Sequence, residues 1–486
     1  MRSARRVGVA IVLMSVAVVV LASPVRVAAG ESPSESVVAI SNHPQLFLDD
    51  HVVAQMKNLQ RVVQRPRKHP ANPLIVQEFP WERRTVQVYG TVLYEPESGK
   101  FRCWYLGSEN PDAKPEYYMC YAESSDGIRW TKPMVGSGRI GRHDRHNVVV
   151  PGGHGLCVLR SPTDPNPKRR YKGLGGDTLA FSPDGVRWTL EPFEAAGKND
   201  TGSSVVFWRG EYLAYVRNQE RDPDWPAVMR GVALSTSRDF RRWTPKKTIL
   251  TTDKRDGYPW VQPYGMEVSV YGDQLIGLLP VLFLERIKGN NSLGVIRVQL
   301  AVSRDGRRWH RVADRATLLA PTPAGSKPAW DSGTIFPSTT LLVKDDEIRI
   351  YYTGVTRRHG AGRGAPRGIG LATLPADRFV ALMPRSPSAK GILHTKRFSA
   401  SGKDLRVNAD VTADDLQVEL LDAKGRVLEG FGRDRCRLVR CDELRYRATW
   451  RDGARTRTWA DAPKDRSVSL RFILGEGKLY AFQVGD

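Results

Sequence analysis

Five acidic residues stand where short β-type runs begin or break: Asp50, Glu82, Asp200, Glu267 and Asp331. Carboxyl groups held together in a partly dehydrated recess push one another's pKa values apart, so that one keeps its proton while another is ionised. Cleavage of a glycosidic bond needs that division, with an acid for the leaving oxygen and a base or nucleophile on the opposite face of the sugar. Glu267 is the expected acid, Asp200 its orienting or pKa-tuning partner, and Glu82 or Asp50 the base or nucleophile, with Asp331 a further candidate. Trp81, Gln87, His146, Asn147 and Tyr264 are the expected substrate contacts. The rings of Trp81, Tyr89, Trp260, Tyr264 and Trp330 offer flat faces for sugar stacking. Each also has a plain structural use, because an acid can pair with an Arg or cap a strand end, and a lone His or aromatic ring is common in interiors. No spacing typical of a metal site or cofactor motif is present, so neither is expected.

The elements that must position these residues come from a repeat. Ser-x-Asp-Gly-x-x-Trp occurs around Asp126, Asp184 and Asp305, and a fourth copy around Asp239 has Phe240 in place of Gly. The copies recur every 55 to 66 residues, the length of a four-stranded blade with generous loops. The phrase is hairpin-turn chemistry: Ser and Asp hold nearby N–H groups, Gly takes a positive φ, and Trp packs back between sheets. Its acids are therefore assigned to structure.

Alternating runs around the copies predict an all-β, five-bladed β-propeller over residues 30–384. The second blade is expected to start at Asn147, the third at Ser203, and Asp377-Arg378-Phe379 stands in for the fifth turn. A segment at Gln45 to Asp50 is expected to close the ring. In such a ring the starts of the innermost strands meet at one mouth of the channel, which is why the five acids are grouped. After Pro384 the pattern changes to short strands and Lys-Gly or Glu-Gly turns, predicting a small C-terminal β-sandwich over residues 385–486.

Residues 1–29 read as a signal peptide: Arg2, Arg5 and Arg6, an apolar run from Val7 to Ala22, then Val27-Ala28-Ala29. A secreted or periplasmic protein with no stable membrane insertion after cleavage is expected. The net charge is +22, and removing four Arg with residues 1–29 leaves +18. The basic residues are scattered, which argues for solubility over nucleic-acid binding, although an anionic carbohydrate partner fits the sign. Five cysteines allow at most two disulfides. Cys436 with Cys441 is the expected pair, and Cys103 and Cys120 can pair or lie buried.

Five blades, Asp200 opening the third, Glu267 in the fourth and Ile369-Gly370-Leu371-Ala372-Thr373 closing the fifth resemble the glycosidase superfamily of invertases, arabinanases and levansucrases. Leu46-Phe47-Leu48-Asp49-Asp50, Arg169-Arg170-Tyr171-Lys172, Trp330-Asp331-Ser332-Gly333 and Lys478-Leu479-Tyr480-Ala481-Phe482 narrow the resemblance to secreted, planctomycete-type proteins labelled as related to glycoside hydrolase family 32. It implies a glycoside hydrolase with an acid, a base and a third acidic residue around a funnel. The chain departs from the invertase pattern in lacking Asn-Asp-Pro-Asn and Arg-Asp-Pro, with Arg160-Ser161-Pro162 in place of the latter. The alternatives are a non-catalytic carbohydrate-binding propeller and a sialidase-like enzyme, which would need an Arg trio and usually six blades.

Overall fold

The repeated phrase folds the same way each time. Ser124 Oγ donates to Asp126 Oδ1 at 3.0 Å and accepts the N–H of Gly127 at 2.9 Å, while Asp126 Oδ1 accepts the N–H groups of Ile128 and Arg129 at 2.8 Å. Trp130 Nε1 closes the turn on the Gly127 carbonyl. The copies at Asp184, Asp239 and Asp305 repeat these bonds. The computed structural model describes residues 37–109, 116–193, 204–221, 228–286, 293–323, 325–326, 330–361, 364–463 and 467–485. Among them are strands and six single-turn 3₁₀ segments but no α-helix, and no helix long and apolar enough to cross a membrane.

Each turn joins the third and fourth strands of an antiparallel sheet. The first sheet runs Thr85–Gln87 with Val92–Glu95, then Lys100–Ser108, Tyr117–Ser124 and Val148–Pro151. The second is Cys157–Arg160, Tyr171–Leu174, Thr178–Ser182 and Thr189–Pro192. The third is Ser204–Trp208, Glu211–Arg221, Val228–Ser237 and Lys247–Leu250. In the fourth, Val261–Pro263 and Glu267–Tyr271 precede Gln274–Arg286 and Leu293–Ser303, with His310–Arg311 and Thr317–Leu319 outermost. The fifth is Thr334–Pro337 with Leu342–Lys344, then Glu347–Val355, Arg367–Pro375 and Arg67–Lys68. One parallel bridge, Ile296 to Thr334, joins the last two.

The five sheets follow one another in a cycle. Thr91 Oγ1 accepts the N–H of Val158, Cys157 Sγ that of Val205, Ser204 Oγ that of Val268, and Ser269 Oγ that of Leu341. Thr339 returns to the first sheet through its N–H on Gly90 O at 3.0 Å and its hydroxyl on that of Thr91. The turns latch the same neighbours further out. Tyr351 Oη reaches Gly127 O, Trp104 Nε1 reaches Gly185 O, Tyr215 Oη reaches Gly306 O, and Tyr271 Oη reaches the Asp377 carboxylate.

The missing glycine of the third turn is explained here. At Gly306 (φ 74°) a Cβ would lie 2.4 Å from Leu213 Cδ1, whereas Phe240 keeps a positive φ of 65° and drives a fully buried ring against Phe181 and Tyr212. Burial of an aromatic side chain, worth roughly 2–3 kcal/mol, outweighs a strain of roughly 1 kcal/mol.

Three expectations change. Val148–Pro151 pairs with Tyr118–Cys120, so Asn147 ends the first sheet and does not open the second. Arg67–Lys68 supplies the closing strand by pairing with Ala372 and Thr373, while Gln45–Leu46 pairs with Ala481 and Phe482. The sheets also cut across a division at 384/385. One C-terminal sheet is Asp442–Arg447, Asp404–Asp410, Lys478–Gly485, Val380–Pro384 and Leu59–Val63, with Gln45–Leu46 on its side. The other is Val53–Lys57, Gly391–Thr395, Ser469–Leu474, Asp415–Leu421 and Arg437–Val439. Phe47, Leu405, Leu420, Trp450, Phe472 and Phe482 share the core between them.

All five thiols are free, so the Cys436–Cys441 bond is absent. Cys436 points into that core, where burial pushes its thiol up to about 12, while Cys441 is only half-buried beyond the Arg440 turn. Cys103 and Cys120 are buried singly.

Candidate functional site

Glu267 begins the long inner run of the fourth sheet, three residues after a break at Tyr264. Its side chain feels Arg217 from the third sheet and the Cys157 thiol from the second, which places it on the inner side of the cycle. It is 6% exposed, and its Oε2 has no hydrogen-bond partner. Burial, opposed only by the Arg217 charge, pushes the carboxyl up to about 8, so it is protonated at neutral pH.

An arc of rings leads to it from three sheets. Tyr117 stacks on His154 with centroids 4.2 Å apart, His154 meets Tyr89 edge-on at 5.9 Å, Tyr89 meets Phe336 at 5.1 Å, and Phe336 meets Tyr264 at 5.3 Å. Tyr264 Oη is 3.2 Å from His359 Nε2, and the Arg217 guanidinium lies 4.1 Å from the Tyr264 ring centroid. Arg217 Nε donates to Tyr264 O at 2.7 Å, which fixes that ring, and Arg230 donates to Gln262 Oε1 at 3.0 Å. On the first-sheet side Gln87 accepts from Thr85, which also accepts from Arg367. Beyond Tyr117 and His154 the arc opens into a cavity of about 690 Å³ edged by Gly152, Gly153 and Asp177. The mouth thus presents a buried acid, fixed cations and aromatic faces.

Of the residues expected from the sequence, Gln87, Tyr264 and Glu267 lie at this mouth, whereas Asp50, Glu82 and Asp331 are engaged elsewhere. Asp200 lies outside the described residues. Glu82 is fully buried within the first sheet's packing: Oε2 caps the N–H groups of Glu78 and Phe79 and pairs with Lys132 at 2.8 Å, and Oε1 accepts from Tyr105 at 2.5 Å. Trp81 Nε1 and Asn147 Oδ1 join the same network at 2.7 Å, and the His146 ring meets Trp81 edge-on while Nε2 contacts Gly138 O. These contacts make Trp81, Glu82, His146 and Asn147 a packing cluster, not a base with its substrate contacts.

Asp331 is held through one oxygen, Oδ2, while its buried Oδ1 has no hydrogen-bond partner. It takes Lys68 Nζ at 2.6 Å and Tyr352 Oη at 2.9 Å beneath Trp330, tying the closing strand to the fifth sheet. Asp50 is exposed, pairs with Arg61 at 2.5 Å, and lines a different cavity of about 880 Å³. Trp260 remains 44% exposed. His154, Arg217, Arg230, Phe336, His359 and Arg367 were not anticipated. Arg217 had a signal, a charge on the inward side of Tyr212-Leu213-Ala214-Tyr215-Val216, where only a fixed partner justifies it. Among the described residues no group of three or more His, Cys, Asp or Glu could hold a metal ion.

No family model matches the chain, and no curated protein matches it. Solved structures that resemble it include three with TM-scores of 0.44 or 0.45. One is a GH130-family protein from work on glycoside hydrolases that target β-1,2 mannosidic linkages in Candida mannan, at TM-score 0.45 and 16% identity over 64% of this chain and 94% of that one. Another is a glycosyl hydrolase from Bacteroides ovatus, at 0.45 and 14% over 65% and 96%. A third is a β-1,2-mannobiose phosphorylase from Listeria innocua with β-1,2-mannobiose, at 0.44 and 14% over 66% and 98%. None of the three is described as a family 32 protein. At these scores the chain's activity has to be read from its own residues.

Proposed function

We propose that the chain is a glycoside hydrolase built on a five-bladed β-propeller with a C-terminal β-sandwich, and that Glu267 is its general acid. The observation that carries this is the buried Glu267 oxygen without a hydrogen-bond partner, in a carboxyl protonated at neutral pH and near Arg217, whose guanidinium packs on the Tyr264 ring. A protonated carboxyl can donate to the leaving oxygen of a glycosidic bond. As it ionises, the Arg217 charge nearby stabilises the carboxylate that forms. Tyr89, Phe336 and Tyr264 offer ring faces to the C–H faces of sugar units. Asp200 keeps the role expected from the sequence, an orienting or pKa-tuning partner of that acid. The proposed substrate is an oligosaccharide or polysaccharide, and export is proposed from residues 1–29.

The test is reducing-sugar release by residues 30–486 on a panel of neutral, sulfated and uronic polysaccharides. Release that disappears in Glu267→Gln supports the assignment, and release unaffected by it removes Glu267 from the chemistry. A non-catalytic carbohydrate-binding protein is the second reading. It is favoured by one observation: Asp50, Glu82 and Asp331 are all engaged away from the mouth. Saccharide binding without release by the parent protein would select it. Four turn phrases and a degenerate fifth, one for each of five proposed blades, weigh against a sialidase, which usually has six.

A further inference from the structure

The cavity that holds Asp50 lies between the outer turn of the fourth sheet and the adjoining strands Val53–Lys57 and Leu59–Val63. Its volume of about 880 Å³ falls in the range of small-ligand sites, and its lining shares no residue with the aromatic mouth described above. We infer that it is a second carbohydrate site, one that takes a saccharide carrying sulfate or carboxylate groups.

The argument rests on which polar groups are already spent. Asp49 is clamped by Arg304 through two bonds of 3.0 and 3.1 Å, and Asp50 is held by Arg61. Asp305 is consumed by its own turn and by Arg308 at 3.0 Å, and Asp314 pairs with Arg255 at 2.5 Å. Every acid lining the cavity therefore has a cation to balance its charge.

The donors are in surplus. Arg385 uses Nε on Leu59 O at 3.0 Å, and among the described residues no carboxylate pairs with its guanidinium. The Arg308 side chain is 88% exposed at the rim, with N–H groups beyond the one spent on Asp305. His51 and His310 line the same space. Burial and the neighbouring Arg304 push the His51 imidazole below its usual range, so at neutral pH it presents an uncharged ring. With each lining acid matched by a cation and the Arg385 guanidinium left over, the site favours a ligand that brings negative charge, and a guanidinium binds sulfate or carboxylate oxygens well.

Leu48, Leu59 and Val312, all buried, form packed apolar material beneath the chamber and hold its walls in place. A nucleic acid would need a row of cations along a groove to neutralise successive phosphates, whereas these donors surround one chamber.

The test is titration calorimetry of residues 30–486 with a sulfated galactan tetrasaccharide, its desulfated counterpart, tetragalacturonate, inorganic sulfate and a short DNA duplex. The expected result is binding of the sulfated or uronic tetrasaccharide at least tenfold tighter than the desulfated one. Arg308→Gln combined with Arg385→Gln lowers that affinity at least tenfold. Arg187→Gln combined with Arg242→Gln, an equal loss of charge on two other exposed turns, changes it less than twofold. Equal binding of the desulfated sugar, unchanged binding by the double variant, or sulfate or DNA binding as tightly as the saccharide each overturns the inference. Should the double variant melt early, Arg308→Gln alone, at an exposed position, decides the matter. Glu267→Gln leaves this binding intact, so loss of hydrolysis and loss of this site are read separately.

Discussion

Asp126 and Glu267 carry the same chemical group and meet opposite treatment. On the outer turn, slight burial works against the Asp126 charge, but the N–H groups of Arg129 and Ile128 and the Ser124 hydroxyl hold the carboxyl down at about 2. On the inner strand, burial raises Glu267 to about 8 and no donor meets Oε2. Asp184, Asp239 and Asp305 share the first situation. The lesson is that the number of donors turned toward a carboxylate decides whether it fastens the chain or remains available for proton transfer. Membership of a repeated motif points to the first.

The comparison can be broken at either end. Glu267→Gln should lower kcat on the responsive polysaccharide by about 10²–10⁴-fold, with the parent rate falling as pH rises through about 8 while the acid ionises. A residual rate of more than a tenth would mean that the inner carboxyl is no acid.

The same residue should tilt the stability curve. The native pKa lies above the unfolded value of 4.5, so folding takes up a proton between pH 4.5 and 8, and stability falls as pH rises across that window. The loss is on the order of 5 kcal/mol at most, and it should be absent in Glu267→Gln when urea midpoints at pH 5 and pH 8 are compared.

Phe240→Ala should destabilise by about 3 kcal/mol in urea, because the inter-sheet contact with Phe181 and Tyr212 is ring packing. The smallest effect belongs to the outer acid. Asp126→Ala should cost about 1 kcal/mol at neutral pH. The lowered native pKa means that this contribution is complete above 3.8 and disappears as pH falls toward 2, so parent and variant should converge in acid.

What could be read in advance divides along the same line. The turns were legible because Ser124, Asp126, Gly127 and Trp130 satisfy one another within seven residues. Glu82 was misjudged because its partners, Tyr105 and Lys132, lie 23 and 50 residues away, and nothing near Glu82 announces them. Gln45–Leu46 was misplaced for the same reason, since its partner strand is Lys478–Gly485. At the mouth, Glu267 opens an inner strand and Tyr264 lies in the break just before it, and both were visible. Arg217 and His359 arrive from a second strand and from the connection after Glu347–Val355, positions that only the closed cycle brings inward.

The stretch from Gln45 to Lys68 also imposes an order in time. It holds the closing strand of the fifth sheet and three strands of the C-terminal sheets, and their partners include Ala372, Leu393 and Phe482. A chain emerging from its N-terminus therefore carries these edges unmatched until nearly all of it has been made. Completion waits on the final strand, and a product cut short before Lys478–Gly485 should leave Gln45–Leu46 as an unpaired, aggregation-prone edge.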